Sequence, residues 1–499
     1  MSSSSVPSVS ADDVTRFGYK EEMKRELGPF QSFAMSFGFV SICTGTFTSY
    51  QSMLQTSGPA GVWTWLIVIV GQLMVALVFG ALAARMPVSG YSYQWVSRLA
   101  NPILGWIMGW VSFTFLAVVV VSVDYTIASA ILPNLLGYEG TNLNAWAITA
   151  VVMASQSAMV MWSTRATQKF NSAAVIVQIV GIGAIVLALY VLGFARHEFD
   201  WSMVFNTGGI PSDGYFSFGG PAKVGPFMMG TLAGAFTIVG FESAANMAEE
   251  TRDAAHVIPK AMRQAVIALG IIGFLFVFGA TALIDDPVAL ADSPTALADV
   301  ITNTLGSVAG KILLVLVVIA VYSCGLTITV SGSRQVWAMS RDERFPGWQL
   351  LHKVNRTTST PVNAALFMLI VSEVILLAFG FSTGALFSLF SAATLLPALI
   401  YAGTVLLYIV KRKDLPPSSG FTLGKWEAPV LVIASVWLVF ELLIFRDASF
   451  AAVWAYVAVL FAIGALYLIY LLVRRGKSGL AMPELHDIDR ELDTLGEAK

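Results

Sequence analysis

The chain has 499 residues, 56% of them hydrophobic and only 12% charged, whereas a soluble domain carries about 25% charged residues. An ordinary soluble protein is excluded, and with 29 Lys and Arg against 31 Asp and Glu there is no basic excess of the kind that neutralises nucleic-acid phosphates. Two cysteines, Cys43 and Cys324, both inside apolar runs, are too few for a disulfide framework and read as small packed hydrophobes.

A polar, Ser-rich tail occupies residues 1–29. It has no short apolar core with a cleavage site, so no removable leader is expected. Twelve apolar stretches follow, at residues 30–54, 61–84, 103–132, 145–162, 172–194, 227–247, 264–284, 312–333, 362–380, 384–410, 429–445 and 451–473. Each is near the roughly 20 residues that cross a hydrocarbon layer of about 30 Å. They are continuously apolar, without a period of two, and so predict helices and not a barrel. The expected fold is an all-α integral membrane protein with 12 transmembrane helices and a solvated cytoplasmic tail over residues 474–499.

Charge placement sets the expected topology. Arg196, Lys223, Lys311 and Arg446 fall in segments on one side, and every other Lys and Arg up to Lys477 falls on the other. Basic loops stay inside, so both termini are expected in the cytoplasm of a multi-pass cell-membrane protein. The longest loop, residues 195–226, rich in Gly, Pro and Ser, is then extracellular and separates residues 30–194 from residues 227–410. Five spans per half force opposite orientations on the two halves, as in inverted-repeat transporters. Residues 411–473 supply two further spans.

In hydrocarbon an interrupted helix is tolerated only where it lines a cavity or is buried in protein. Matching interruptions in the two halves therefore point to a binding site. The first span contains Ser41-Ile42-Cys43-Thr44-Gly45-Thr46, and the sixth contains Phe236-Thr237-Ile238-Val239-Gly240-Phe241-Glu242-Ser243. Each sets a single glycine among hydroxyls. Small residues also serve simply to let helices pack closely. Unwinding at Gly45 and Gly240 would expose N–H groups that favour a carboxylate and carbonyls that favour an ammonium. An amino-acid-like zwitterion fits both, and Cys43, Thr44, Gly45, Thr46, Asp124, Phe236, Val239 and Gly240 are the expected substrate-binding positions.

Four carboxylates lie inside the spans: Asp124, Glu242, Glu373 and Glu441. An intramembrane carboxylate costs about 2.5–3.5 kcal/mol on insertion scales and needs a partner, a proton or a function. Glu242, two residues past Gly240, and Asp124 are candidates for gating or proton coupling, with Phe236 as a lid one turn before the glycine. The bland alternatives are a Glu242 that ties down freed backbone and an Asp124 anchored beside Ser122 and Tyr125. Glu373 and Glu441, in spans with no predicted interruption, read as structural. Residues 85–95 predict a hairpin punctuated by Pro87 and Gly90. The cluster Glu249-Glu250-Thr251-Arg252-Asp253 could meet Arg334 or Arg341 as an inner gate, although a charge run is usually a solvated face.

At Val239-Gly240-Phe241-Glu242-Ser243, Ala248-Glu249-Glu250-Thr251-Arg252 and Val257-Ile258-Pro259-Lys260-Ala261 the sequence resembles the sixth-span signature of the amino acid-polyamine-organocation (APC) permeases. Met86-Pro87-Val88-Ser89-Gly90-Tyr91-Ser92-Tyr93 and the run from Ser333-Arg334 to Phe345-Pro346 agree, and Ser122-Val123-Asp124-Tyr125 resembles the amino acid/choline branch. The resemblance covers roughly residues 25–475. It implies a LeuT-like fold of five plus five inverted spans with two extra helices, alternating access, and transport of an amino acid or a related amine such as GABA, with choline, a polyamine or exchange as alternatives. Phe236 matches the family's aromatic gate and Glu242 its frequent glutamate. Thr44-Gly45-Thr46 departs from the common Gly-Ser-Gly. Residues 171–194 hold no Lys or Arg, which excludes coupling by the fifth-span lysine of some proton-coupled relatives; proton symport through Glu242 or Asp124 is the expectation, with exchange or facilitated uptake as alternatives.

An enzyme is not indicated. The four histidines, at 197, 256, 352 and 486, lie outside the spans, and neither a His-Glu-x-x-His nor a Walker A run is present. No metal site, cofactor or nucleic-acid partner is expected; the partners are a small amine-bearing solute, a proton and the bilayer. A nutrient receptor or channel on a transporter fold is the alternative from another class, though one chain with two inverted halves does not suggest a ring-lined pore.

Overall fold

The computed structural model describes residues 14–480 except 219–222, 356–357, 380–384, 416, 419 and 477–479. The distal parts of both predicted tails, with Arg356 and Lys477, lie outside the described residues.

The first apolar stretch forms two helices, α1 (Pro29–Val40) and α2 (Ile42–Ser57). After α3 (Thr64–Ala83) the chain turns through Pro87 into the short α4 (Tyr91–Leu99). The Asn101 side chain accepts the Leu104 amide at 2.9 Å and starts α5 (Pro102–Thr126), with proline in the first turn, where a missing N–H is no loss. α5 passes through a π-helical turn at Ile127–Ile131 into α6 (Leu132–Leu136), where Pro133 has no N–H to continue a regular ladder. Thr141 and Ser163 cap α7 (Asn142–Trp162) and α8 (Thr164–Arg196) by accepting amides three residues ahead. The sixth stretch again gives two pieces, α9 (Pro226–Thr237) and α10 (Ser243–Asn246). Then come α11 (Ala254–Thr281), α12 (Pro287–Ala291), α13 (Ala296–Leu305), α14 (Ser307–Arg341), α15 (Trp348–Leu351), α16 (Val362–Phe379), α17 (Ala385–Lys411), α18 (Glu427–Ile444) and α19 (Ala451–Arg475).

Among the described residues, nine helical stretches are long and apolar enough to cross a membrane. The difference from twelve has a local cause in each case. The first and sixth stretches are interrupted, and the ninth is a shorter apolar helix over Val362–Ala378. The outer faces are apolar: Ile67 and Val70 on α3, Val180 and Leu187 on α8, and Leu466 and Val473 on α19 are all exposed. Such faces are stable against lipid and a liability in water, and the chain is a multi-pass membrane protein.

α5 is the most enclosed long helix and α19 the least. α1 packs on α8, α11 and α14, α2 packs on α9, and α1 also touches α10. The interrupted stretches are therefore neighbours in the middle of the bundle.

Candidate functional site

In the first stretch the interruption is a single residue. Ser41 has φ 40° and separates Val40 of α1 from Ile42 of α2. Its hydroxyl accepts the Thr44 hydroxyl at 2.8 Å and the Thr44 amide at 3.3 Å, and donates to Gln178 Oε1 of α8 at 3.1 Å. Just before it, the Phe39 carbonyl leaves the helical ladder and accepts the Cys324 thiol of α14 at 2.9 Å. The interruption predicted at Gly45 thus lies four residues earlier, because Ser41 can cap the second helix with its own side chain. Gly45 is inside α2 and permits close approach: a β-carbon there would sit 2.3 Å from Thr237 Cγ2 of α9. Cys43, Thr44 and Thr46 are also buried within α2, and the Thr46 hydroxyl donates to the Ile42 carbonyl at 2.6 Å.

The second interruption is longer. α9 ends at Thr237 and α10 starts at Ser243, with Gly240 between them at φ 85°, a conformation that favours glycine. The Gly240 amide donates to the Tyr401 hydroxyl of α17 at 3.0 Å, and that hydroxyl donates to Glu242 Oε2 at 2.7 Å. α1 adds two further bonds: the Ser36 hydroxyl donates to the Phe241 carbonyl at 2.6 Å, and the Ser243 hydroxyl donates to the Met35 carbonyl at 2.9 Å. A β-carbon on Gly240 would lie 1.9 Å from the Phe39 ring. The two interruptions are in direct contact. Among the described residues the Val239 and Phe241 amides donate to no backbone carbonyl, so these two N–H groups stand outside the helical ladder.

Glu242 is 2% exposed and no cation lies within ion-pair distance of it among the described residues; its partner is a neutral phenol. Asp124, fully buried in α5, accepts the Gln156 amide of α7 at 2.9 Å, and its second oxygen has no partner. Gln156 takes the anchoring position expected near Ser122, whose hydroxyl instead donates to the Val119 carbonyl at 2.9 Å. Asp124 sits tightly against Gly325 of α14, the neighbour of Cys324. Glu373 is half-buried on α16, and Glu441 is buried on α18 with one oxygen unpartnered.

The two ends of the bundle differ. At the end where α2 finishes and α9 begins there is a cavity of 130 Å³ lined by Ser49, Thr56, Phe236, Ser391, Thr394 and Phe450 among others. Among the described residues its walls carry hydroxyls and apolar groups and no charged side chain. Phe236 is the sequence-predicted site residue that reaches it. At the opposite end, where α1 begins and α14 finishes, two buried ion pairs join separate elements, Glu250 to Arg334 at 2.8 Å and Glu249 to Arg341 at 2.8 Å. The Leu27 amide donates to the Glu250 carbonyl at 2.9 Å, and the Tyr19 ring lies 3.6 Å from the Arg341 guanidinium. Burial pushes the Tyr19 phenol well above its ordinary range, with the Asp342 carboxylate adding to the effect. The N-terminal segment thereby covers this end.

The chain matches the family of amino acid permeases over residues 27–473. It belongs to the amino acid permease family. Its relatives include the amino-acid permease BAT1 of Arabidopsis thaliana, 27% identical over 85% of this chain and 85% of that protein, and the BAT1 homolog of Oryza sativa subsp. japonica, 28% identical over 85% and 86%. A GABA-specific permease of Saccharomyces cerevisiae is 25% identical over 85% of this chain and 76% of its own.

Several of this permease's junction residues escape sequence reasoning. Tyr401, Ser36, Cys324 and Gln178 come from four helices remote in the chain, and each looks locally like a routine member of an apolar span. The available signal is weak: a hydroxyl, thiol or amide within hydrocarbon must find a partner.

Proposed function

We propose that this permease is a secondary active transporter of a small zwitterionic amino acid or γ-amino acid, working by alternating access on a LeuT-like fold of five plus five inverted spans with two additional helices. The reading counts α1 with α2, and α9 with α10, as single interrupted spans, and places both termini in the cytoplasm of the cell membrane. The observation that carries it is the contact between the two interruptions, where Ser36 holds the Phe241 carbonyl and Tyr401 holds the Gly240 amide.

In this reading the solute enters from the cavity and passes Phe236. Its carboxylate meets the Val239 and Phe241 amides of the unwound segment, which lie outside the helical ladder. The uncharged cavity wall favours a zwitterion over a polyamine, whose several charges would each need a carboxylate. Glu242 is the coupling group: it is buried, has no compensating cation among the described residues, and is tied by Tyr401 to the backbone that has to rearrange. Asp124, clamped between Gln156 and the α14 backbone, positions α5 against α14. Glu249, Glu250, Arg334 and Arg341 form the inner seal, so the structure corresponds to a state closed toward the cytoplasm.

The test is uptake of labelled GABA and α-amino acids into proteoliposomes with an imposed inward proton gradient. Accumulation that follows ΔpH, and its loss in Glu242→Gln with retained exchange of internal for external substrate, is expected. Indifference of the wild type to ΔpH would overturn proton symport; absence of saturable counterflow would overturn the carrier reading.

A further inference from the structure

We propose that the groove between α1 and α8, at the end of the bundle where α1 begins, binds an anionic phospholipid with a hydroxyl-bearing headgroup, such as phosphatidylglycerol. The groove has a volume of 580 Å³. Its rim carries Arg165, Lys169 and Arg252, with no carboxylate within ion-pair distance of any of them among the described residues. Arg252 is fixed in place by donating from Nε to the Arg25 carbonyl at 3.0 Å. Glu26 is the acidic residue in the lining, so the cations outnumber it three to one. That balance, at the interfacial level of a membrane protein, attracts a lipid phosphate.

A second observation comes from the wall. Gln168, only 3% exposed, uses its amide N–H on Met35 Sδ at 3.1 Å, and its carbonyl oxygen has no partner among the described residues. A buried acceptor without a donor is costly, and a headgroup hydroxyl beside the phosphate would supply the donor. Beyond Lys169 along α8 the lining turns apolar at Ala173 and exposed Ile176, and exposed Phe30 of α1 adds apolar surface to the groove. Lys169 and Ile176 are separated by about 10 Å at 1.5 Å per residue, so charged rim and apolar floor follow the order of headgroup and acyl chain. A soluble phosphate would use the rim alone. The lipid would brace α1, the half-helix that ends at Ser41, against α8.

Delipidated full-length protein in a neutral detergent is melted with phosphatidylglycerol, with phosphatidylcholine, and with inorganic phosphate at equal phosphate concentration. Phosphatidylglycerol is expected to raise the midpoint by about 3 °C and the other two to leave it unchanged. In Arg165→Ala/Lys169→Ala the rise should be lost, while Arg412→Ala/Lys413→Ala, elsewhere on the same side, keeps it. An equal rise with phosphatidylcholine, a rise with inorganic phosphate alone, or a rise that survives in the Arg165/Lys169 variant overturns the proposal. Native mass spectrometry provides a second reading with a single substitution. Phosphatidylglycerol retained by the wild type and lost from Lys169→Glu supports the site, and equal retention by both overturns it. Neither measurement uses a transported solute, so the outcome is independent of the transport reading.

Discussion

The Tyr401 hydroxyl lies 2.7 Å from Glu242 Oε2 and 3.0 Å from the Gly240 amide, so one phenol ties a buried carboxylate to unwound backbone. A hydrogen bond to a charged group contributes about 1.5–3 kcal/mol, or roughly tenfold to a hundredfold in a rate that depends on it. Tyr401→Phe is expected to reduce the initial uptake rate at least tenfold on that scale while leaving membrane abundance near wild type. Uptake at the wild-type rate in proteoliposomes would remove Tyr401 from the mechanism.

The two glycines fail for different reasons when given a side chain. Gly240→Ala combines a left-handed backbone penalty of about 1–2 kcal/mol with a clash against the Phe39 ring. Adding Phe39→Ala should relieve the clash and leave the backbone penalty, so the melting midpoint recovers in part. Gly45→Ala has no backbone penalty, since Gly45 is helical. Its β-carbon would lie 2.6 Å from the Thr237 β-carbon itself, and trimming Thr237 to Ala cannot restore the α2–α9 approach. Thermal melts of the two singles and two doubles separate these cases.

Glu250 and Arg334 are 3% and 1% exposed. Removing one partner strands the other charge at a cost of about 3–5 kcal/mol, whereas removing both is far milder. Glu250→Gln and Arg334→Gln should each lower the midpoint strongly, and the double variant should be more stable than either single. A double variant at the sum of the two losses would show that the pair is not coupled.

Asn in place of Asp124 can still accept one N–H of the Gln156 amide, whereas Leu removes that acceptor and leaves the amide only its bond to the Tyr322 carbonyl at 3.2 Å, a loss of about 1–3 kcal/mol. Asp124→Asn is expected to keep ΔpH-driven accumulation within a few-fold of wild type, and Asp124→Leu to lose stability in a melt. Accumulation abolished in Asp124→Asn would move the coupling role from Glu242 to Asp124.

Asp447, in the connection before α19, accepts the Val224 amide at 2.8 Å and the Ser449 amide at 3.0 Å. Partial burial works against its charge, but the Ser449 and Val224 hydrogen bonds and nearby Lys223 prevail and hold its carboxyl below the ordinary range. A depressed folded value means a contribution present above the ordinary carboxylate pKa of about 3.9 and lost as pH falls through the depressed one. Asp447→Asn should therefore melt slightly below wild type at pH 7, and the gap should close as the pH is taken from about 5 toward 3. A gap that is constant with pH would assign the effect to something other than this carboxylate.

The membrane fold was legible because hydropathy and length are local quantities: twenty apolar residues in a row have few ways to bury their backbone polar groups other than a helix. Interruption was legible too, at the level of the segment. Its position was clearer in the sixth stretch, where Gly240 adopts the backbone only glycine takes easily, than in the first, where Gly45 offers the same residue type and is used for packing. Ser41 carries the interruption there because its side chain caps the helix that follows, and one serine among many hydroxyls does not announce that role.

By itself the sequence determined the apolar segments, the one-sided placement of basic residues and the presence of four carboxylates inside the spans, all of which depend on residue type and order alone. The tertiary structure decided the partners: that Glu242 faces Tyr401 and, among the described residues, no cation, that Asp124 is held by Gln156, that Glu249 and Glu250 meet Arg341 and Arg334, and that Phe236 looks into a cavity. Each of these joins elements far apart in the chain. Hydrogen bonds and ion pairs act over a few ångströms, and which groups come that close is set by how the helices cross in space.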